Sequence, residues 1–264
     1  MYDFSYHRAS SLADAVEKAK SGDDPLIMAG GMTLIPTLKQ RLASPTDVID
    51  LTGVAELKGI SVSGDVVTIG AMTHHDEVMN SSDVQRAIPA LARLAGHIGD
   101  PQVRNRGTLG GSIANSDPAA DYPAALVGLG ATVHTTSRQI AADDFFTGMF
   151  ETALEPGELV TKVDFPVPQA AAYQKFENPA SRYAIVGVFV ARTKNGIRVA
   201  VTGAGPSVFR VPEMEQALGS NFSPDAIKDI KIGADELNSD IHASAPYRAH
   251  LVGVMARRAV EACA

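Results

Sequence analysis

Two short stretches decide the fold of this chain: Ala29-Gly30-Gly31-Met32-Thr33-Leu34 and Thr108-Leu109-Gly110-Gly111-Ser112. Each contains a pair of glycines with a threonine or serine close by. Glycine lets the backbone approach a ligand closely, and free backbone N–H groups bind phosphate oxygens. A single Gly-Gly pair is usually only a turn. Two such pairs with flanking hydroxyls instead favour a cradle for the diphosphate of a dinucleotide.

The residues around the first glycine pair predict a strand, a loop and a helix in that order. The apolar run Pro25-Leu26-Ile27-Met28 precedes the pair, and residues 33–42 have a helical pattern. Thr33 is a suitable N-cap, so the first N–H groups of this helix would be free to bind an anion. The second pair precedes a polar turn, residues 113–122, that leads into another apolar helix.

The composition is that of an ordinary globular protein and argues against several functions. The net charge is -7 with no basic stretch, which argues against nucleic acid as a partner. No apolar run is long enough to cross a bilayer and no secretory signal is evident, so we expect a cytoplasmic protein. Cys263 is the only cysteine, which excludes internal disulfides and cysteine-ligated iron–sulfur or zinc sites in this chain.

The pattern of elements predicts an α+β fold in three parts, residues 1–55, 56–168 and 169–264. The first part has a predicted helix at 11–20 and strands at 26–29 and 48–51. The second has strands at 65–70, 131–136 and 159–165, a helix starting at His74 with Thr73 as its cap, and a helix around 84–94. In the third, Asn195-Gly196 joins two β-rich runs into a predicted hairpin, and a long helix covers 244–263.

The second glycine stretch lies within a longer recognisable segment, Gln102-Val103-Arg104-Asn105-Arg106-Gly107-Thr108-Leu109-Gly110-Gly111-Ser112-Ile113-Ala114-Asn115, followed by Asp117-Pro118-Ala119-Ala120-Asp121. This segment resembles the FAD-binding subunits of molybdenum hydroxylases, which include the medium subunit of aerobic carbon monoxide dehydrogenase and the flavin domain of xanthine dehydrogenase. The resemblance also covers Ala29-Gly30-Gly31, Gly203-Ala204-Gly205-Pro206 and Tyr247-Arg248-Ala249-His250-Leu251, and so extends over essentially the whole chain.

The resemblance implies a bipartite FAD-binding fold of two α+β subdomains, followed by a C-terminal domain of antiparallel sheet and helices. It also implies a complex, expected to be a dimer of heterotrimers. A small subunit would carry [2Fe–2S] clusters and a large subunit the molybdenum–molybdopterin cofactor. This chain would pass electrons from the clusters through FAD to an external acceptor: quinone, oxygen or NAD. The single cysteine supports this division, because this chain cannot hold the clusters itself.

The resemblance further implies a set of FAD-binding residues and no catalytic residue or metal site in this chain. The two glycine stretches would wrap the diphosphate mostly through backbone N–H groups. The implied residues are Ile27, Met28, Ala29, Gly30, Gly31, Met32, Thr33, Leu34, Thr108, Leu109, Gly110, Gly111, Ser112, Asp117, Asp121, Val160, Lys175 and Tyr183.

Four of these residues have an alternative interpretation. Asp121 would bond ribose or adjacent backbone, or else be a helix N-cap. Lys175 would lie near the flavin and favour its anionic reduced form, or else be a solvated strand lysine. Val160, or its neighbour Leu159, would meet the flavin through its backbone. Tyr183 would lie against the isoalloxazine ring, or else belong to the core.

Two positions depart from the family's commoner pattern. Met32 stands where relatives often have a polar residue, and Ser112 where they often have Asn or Asp, so the side-chain hydrogen bonds at these two positions are expected to differ.

Two other motifs do not indicate a site. Adjacent histidines at His74-His75 point to different faces of a helix, which disfavours a metal site. Gly203-Ala204-Gly205-Pro206 lacks the third glycine of a Rossmann fingerprint.

Two other functions remain as alternatives. One is a structural or regulatory subunit that kept the fold and lost its cofactor, which the intact glycine pairs disfavour. The other is a self-sufficient flavin oxidase, which would need a substrate-binding domain that the sequence does not reveal.

Overall fold

A computed structural model describes residues 1–263 of the chain, and its first part is a small parallel sheet. The sheet has the order β1-β3-β2, with β1 at Ser5–Arg8, β2 at Pro25–Met28 and β3 at Asp47–Asp50. Helix α1 (Leu12–Ser21) joins β1 to β2, and helix α2 (Leu34–Lys39) follows β2. The Ser11 side chain accepts a hydrogen bond from the backbone N–H of Asp14 and so caps α1.

The second part is a five-stranded sheet with helices packed on it. The chain supplies, in order, β4 (Ile60–Ser63), β5 (Val66–Gly70), α3 (His75–Asn80), α4 (Ser82–Ala87), α5 (Pro89–Gly96), α6 (Pro101–Arg104), α7 (Leu109–Asn115), α8 (Tyr122–Leu129), β6 (Thr132–Thr135), β7 (Gln139–Ala141), α9 (Ala142–Phe145), β8 (Phe146–Gly148), β9 (Glu151–Thr152) and β10 (Val160–Pro166). The order in the sheet is β4-β5-β10-β6-β7, and β8 pairs with β9 in a separate hairpin. Every residue of α8 is buried, which explains why this helix is apolar on all sides.

The third part is a four-stranded antiparallel sheet in the order β11-β12-β13-β14. Its strands are β11 (Ala170–Glu177), β12 (Ala184–Thr193), β13 (Gly196–Thr202) and β14 (Phe209–Arg210), and helices α10 (Pro212–Ser220) and α11 (Ala245–Ala262) complete it. Its core shares buried residues with the second part: Phe189, Ala191 and Ala200 pack in the same apolar cluster as α8. One continuous core therefore joins the two sheets.

The structure confirms the α+β class and the Asn195-Gly196 hairpin, and it corrects three predicted helices. The helix predicted around 84–94 is divided into α4 and α5, because Pro89 has no N–H and cannot continue α4. Helix α3 begins one residue later than predicted, and the Thr73 hydroxyl contacts the backbone of Gly59 instead of capping it. Helix α2 ends at Lys39, and the Thr33 side chain makes no cap hydrogen bond.

The two glycine stretches lie directly against each other. A Cβ placed on Gly30 would be 2.0 Å from the carbonyl oxygen of Arg106 and 2.9 Å from the Cα of Gly107. Only glycine permits this backbone-to-backbone approach. The second stretch is held in turn by the Gly110 N–H, which donates to the carbonyl of Ala71 over 2.8 Å. The two stretches therefore form one wall.

We expect Gly30→Ala to destabilise the protein, because its methyl group would overlap the Arg106 carbonyl. Overpacking of this kind costs about 1–3 kcal/mol or more of unfolding free energy, which chemical denaturation measures directly. The matched control is Gly219→Ala in α10, where the added methyl meets no atom within 4 Å. Equal stability of Gly30→Ala and the wild type would show that the two stretches do not depend on this contact.

Candidate functional site

A cavity of about 570 Å³ lies between the two glycine stretches and extends to the third part of the chain. Its volume is in the range of sites that enclose small molecules and cofactors. All but three of the residues that the resemblance implies line it: Ile27, Ala29, Gly30, Gly31, Met32, Thr33, Leu34, Thr108, Gly110, Gly111, Ser112, Asp117, Asp121, Val160 and Tyr183. The exceptions are Met28, Leu109 and Lys175; Leu109 is fully buried in the core.

The first glycine stretch presents free hydrogen-bond donors beside the cavity. Within residues 1–263, no hydrogen bond uses the backbone N–H groups of Gly31, Met32 or Thr33. Gly31 has φ +75°, a left-handed conformation that most other residues avoid, and this turns the chain into α2. Three successive N–H groups next to a cavity form a concave site that attracts anions. The geometry of this stretch therefore suits an anionic ligand.

The second glycine stretch is built differently from the first, contrary to expectation. Its glycines lie inside the first turn of α7 instead of a loop, and the Thr108 hydroxyl caps that helix by accepting from Gly111. The N–H groups of Leu109 and Gly110 donate to the carbonyls of Thr73 and Ala71 over 3.1 Å and 2.8 Å. These donors are therefore not available to a ligand. This stretch lines the cavity and supports the first stretch.

Asp121 occupies the wall of the cavity and is paired with Lys175. The Lys175 Nζ donates to Asp121 Oδ2 over 2.9 Å and to the His97 carbonyl over 3.0 Å. The Lys175 side chain is only 2% exposed, so its interpretation as a solvated strand lysine is wrong. Asp121 is at the N-cap position of α8, but its side chain makes no cap hydrogen bond. Burial raises the pKa of the Asp121 carboxyl, an effect that the neighbouring Lys175 charge and hydrogen bonds only partly offset.

Val160, the first residue of β10, lines the cavity. The side chain of Glu158 holds the loop that precedes this strand. The buried Glu158 carboxylate accepts hydrogen bonds from Arg138, from the Thr135 hydroxyl and from the Glu155 N–H. Burial alone would raise the pKa of this carboxyl, but these hydrogen bonds outweigh burial and lower it. Glu158 and Leu159 also line the cavity.

Tyr183 lines the main cavity and also a second one of about 420 Å³. The residue is 48% exposed, which excludes its interpretation as a core residue. Its neighbour Arg182 has φ +61°. Asp117 and Ser181 also line both cavities.

His75 is a lining residue that the sequence indicated only as half of a histidine pair. The side chain is almost fully buried, its ring lies 5.3 Å from that of Tyr122, and its Nδ1 has no hydrogen-bond partner within residues 1–263. Burial lowers the pKa of the ring to about 3, with smaller contributions from His74 and Arg104. His75 therefore presents a neutral imidazole to the cavity. No periodicity marks such a residue, because it depends on packing between α3 and α8.

Two family models match the chain almost from end to end. The first, described as the FAD binding domain in molybdopterin dehydrogenase, matches residues 2–168; the second, the CO dehydrogenase flavoprotein C-terminal domain, matches residues 171–263. The nicotine 6-hydroxylase medium subunit of Paenarthrobacter nicotinovorans is 38% identical over 97% of this chain and 95% of its own length. The carbon monoxide dehydrogenase medium chain of Afipia carboxidovorans is 37% identical over 98% of this chain and 96% of its own length.

A solved structure agrees with these sequence relationships. The crystal structure of a Cu,Mo-CO dehydrogenase contains a chain that matches with a TM-score of 0.90 and 34% identity, over 100% of this chain and 98% of that one. The fold and the cavity thus define a flavoprotein of the molybdenum hydroxylases. The chain belongs to the family of FAD-binding medium subunits of these enzymes. The resemblance seen in the sequence is confirmed.

Among residues 1–263, no helix is both long and apolar enough to span a membrane. No group of three or more histidine, cysteine, aspartate or glutamate side chains is placed to hold a metal ion in that part of the chain.

We expect the neutral His75 ring to make stability depend on pH. Its pKa is about 3 in the folded protein, against an ordinary value of 6.5, so the unfolded chain binds a proton more readily. The free energy of unfolding should therefore fall as the pH drops from about 6.5 toward 3. Chemical denaturation of the wild type and of His75→Phe across this range isolates the effect, because carboxylates titrate in both. A constant difference between the two proteins across the range would contradict the assignment.

Proposed function

We propose that this chain is the electron-transfer subunit of a molybdenum hydroxylase and holds FAD in the cavity between its glycine stretches. The observation that carries the proposal is the row of free N–H groups at Gly31, Met32 and Thr33, which suits a diphosphate. The loop that carries these groups requires glycine at position 31, because a Cβ there would lie 2.7 Å from the side chain of Ile35. FAD accepts electrons singly and releases them in pairs, chemistry that no side chain provides.

The chain's own residues would bind and orient the cofactor. The first glycine stretch would hold the diphosphate, and the second stretch would support it by packing against it. Asp121 would accept a hydrogen bond from a sugar or ribityl hydroxyl. Val160 and Tyr183 would lie beside the flavin, and the paired Lys175 would place its charge behind Asp121. We assign no catalytic residue and no metal ligand to this chain.

We further propose that the chain works with two partners in a dimer of heterotrimers. A small iron–sulfur subunit would supply electrons from [2Fe–2S] clusters, and a large subunit would hold the molybdopterin cofactor and the substrate. The relatives support a multi-subunit complex, because they are named as medium subunits or chains. The single cysteine, Cys263, supports clusters on a partner, because one cysteine cannot ligate a [2Fe–2S] cluster. The proposed location is the cytoplasm, and the proposed domains are residues 1–55, 56–168 and 169–264.

Two experimental results would support the alternative functions, a cofactor-free structural subunit and a self-sufficient flavin oxidase. A purified chain without visible flavin absorption that still assembles with its partners would support a cofactor-free structural subunit. Anaerobic reduction of its flavin by an organic substrate, without partners, would support a self-sufficient oxidase.

We expect the purified chain to bind one FAD noncovalently and Gly31→Val to lose it. Valine would be strained at φ +75° by about 1–2 kcal/mol, and its side chain would meet Ile35 beside the free N–H groups. Flavin content follows from the absorption of the released cofactor. The control is Gly64→Val, which has a similar backbone conformation, φ +56°, in open space and away from the cavity. Full flavin content in Gly31→Val would refute the assignment of this stretch.

We also expect the isolated chain to be catalytically incomplete. It should pass electrons from an artificial donor to a dye, but it should not oxidise an organic or one-carbon substrate alone. Addition of the iron–sulfur and molybdenum subunits should restore turnover, with flavin reduction following cluster reduction in stopped-flow absorption. Undiminished electron delivery to the acceptor by the partners without this chain would contradict the proposal.

A further inference from the structure

Behind the cavity wall, a buried network joins Asp121 to strand β11. The Tyr173 hydroxyl donates to Asp121 Oδ1, and Lys175 Nζ donates to Asp121 Oδ2. Tyr173 and Lys175 are two residues apart on β11, so their side chains point to the same face of the sheet. Asp121 lines the cavity, whereas Tyr173 and Lys175 do not. The network therefore reaches the cavity only through Asp121.

The sheet leaves a specific space for the Tyr173 hydroxyl. Gly187 lies on the neighbouring strand β12, opposite Lys175, and a Cβ placed there would be 2.2 Å from the Tyr173 oxygen. The Tyr173 ring packs near Phe189, with 6.3 Å between the ring centroids. Burial, together with the Asp121 charge, holds the pKa of this hydroxyl far above its usual range, so it remains a donor. Tyr173 is thus fixed in place from both sides.

The segment that carries Asp121 is also tied to the third sheet. The Thr202 hydroxyl donates to the carbonyl of Ala120 over 2.6 Å and lies 3.1 Å from that of Pro118, and the Gly203 N–H donates to the Pro118 carbonyl over 2.8 Å. These contacts set the backbone before Asp121 but leave its side-chain rotation free. Tyr173 and Lys175 supply the contacts that restrict that rotation, one to each carboxylate oxygen.

We propose that Tyr173 is a positioning residue, which orients the Asp121 carboxylate so that it can accept a hydrogen bond from a hydroxyl of the bound dinucleotide. This inference rests on the proposed FAD site and assigns a role to a residue outside the cavity. Each carboxylate oxygen accepts more than one hydrogen bond, so the contacts from Tyr173 and Lys175 leave acceptor capacity for the ligand. Without Tyr173, Oδ1 loses its fixed donor and the carboxylate loses its orientation.

The test is a double-mutant cycle on FAD affinity, measured by flavin fluorescence with the full-length apoprotein. We expect Tyr173→Phe to weaken binding about tenfold, as for the loss of a hydrogen bond to a charged group. Asp121→Ala should weaken it at least as much. In the Asp121→Ala background, Tyr173→Phe should have no further effect, because Tyr173 acts through Asp121. The matched control is Tyr247→Phe on α11, a half-exposed tyrosine away from both cavities.

Thermal unfolding of the apoproteins separates positioning from a structural role. Tyr173→Phe loses a buried hydrogen bond, so its unfolding temperature should fall by a few degrees, but it should be fully folded at the temperature at which it binds FAD more weakly. Unchanged affinity in Tyr173→Phe, or effects that add fully in the double variant, would overturn the inference. If Asp121→Ala does not fold because Lys175 is left unpaired, Asp121→Ala combined with Lys175→Met replaces it in the cycle. Failure of the wild type to bind FAD would instead refute the proposed function.

Discussion

The close approach of two backbones, at Gly30 and at Arg106-Gly107, is the contact on which the cavity depends. It places a loop of the small parallel sheet directly on the segment that leads into α7. Because the contact is between main-chain atoms, no side chain can be trimmed to make room for a larger residue. The first stretch can therefore leave its N–H groups free, since its position is set by packing instead of hydrogen bonding.

The two glycine pairs thus have different physical tasks despite their similar sequences. The first pair shapes a loop whose donors remain unused at Gly31, Met32 and Thr33. The second lies in a capped helix, where the N–H of Gly110 and that of its neighbour Leu109 donate to the carbonyls of Ala71 and Thr73. A helix fastened in this way is a rigid support, and a rigid support lowers the entropic cost of binding at the loop that it carries.

Two carboxyl groups at the cavity, those of Asp121 and Glu158, have cationic partners. Asp121 is matched by Lys175, and Glu158 by Arg138. Burial favours the protonated form of a carboxyl group, and the cationic partner, together with other hydrogen bonds, opposes that effect: partly at Asp121 and fully at Glu158. The buried His75 ring instead stays neutral, because burial lowers its pKa. The third sheet takes part in this arrangement through β11, although most of its residues lie away from the cavity.

The sequence by itself determined the family, the α+β class, the glycine stretches, the Asn195-Gly196 hairpin and the absence of cysteines for a cluster. These features are local: they depend on residue type, short spacing and motif order. Tertiary structure alone decided that Lys175 pairs with Asp121, that Tyr173 joins them, that His75 lines the cavity and that the N–H groups of Leu109 and Gly110 donate to Thr73 and Ala71. Each of these results is a contact between segments distant in the chain, such as residues 121 and 175. Packing decides which groups are buried together, and the partner of a buried polar group cannot be read from its neighbours in sequence.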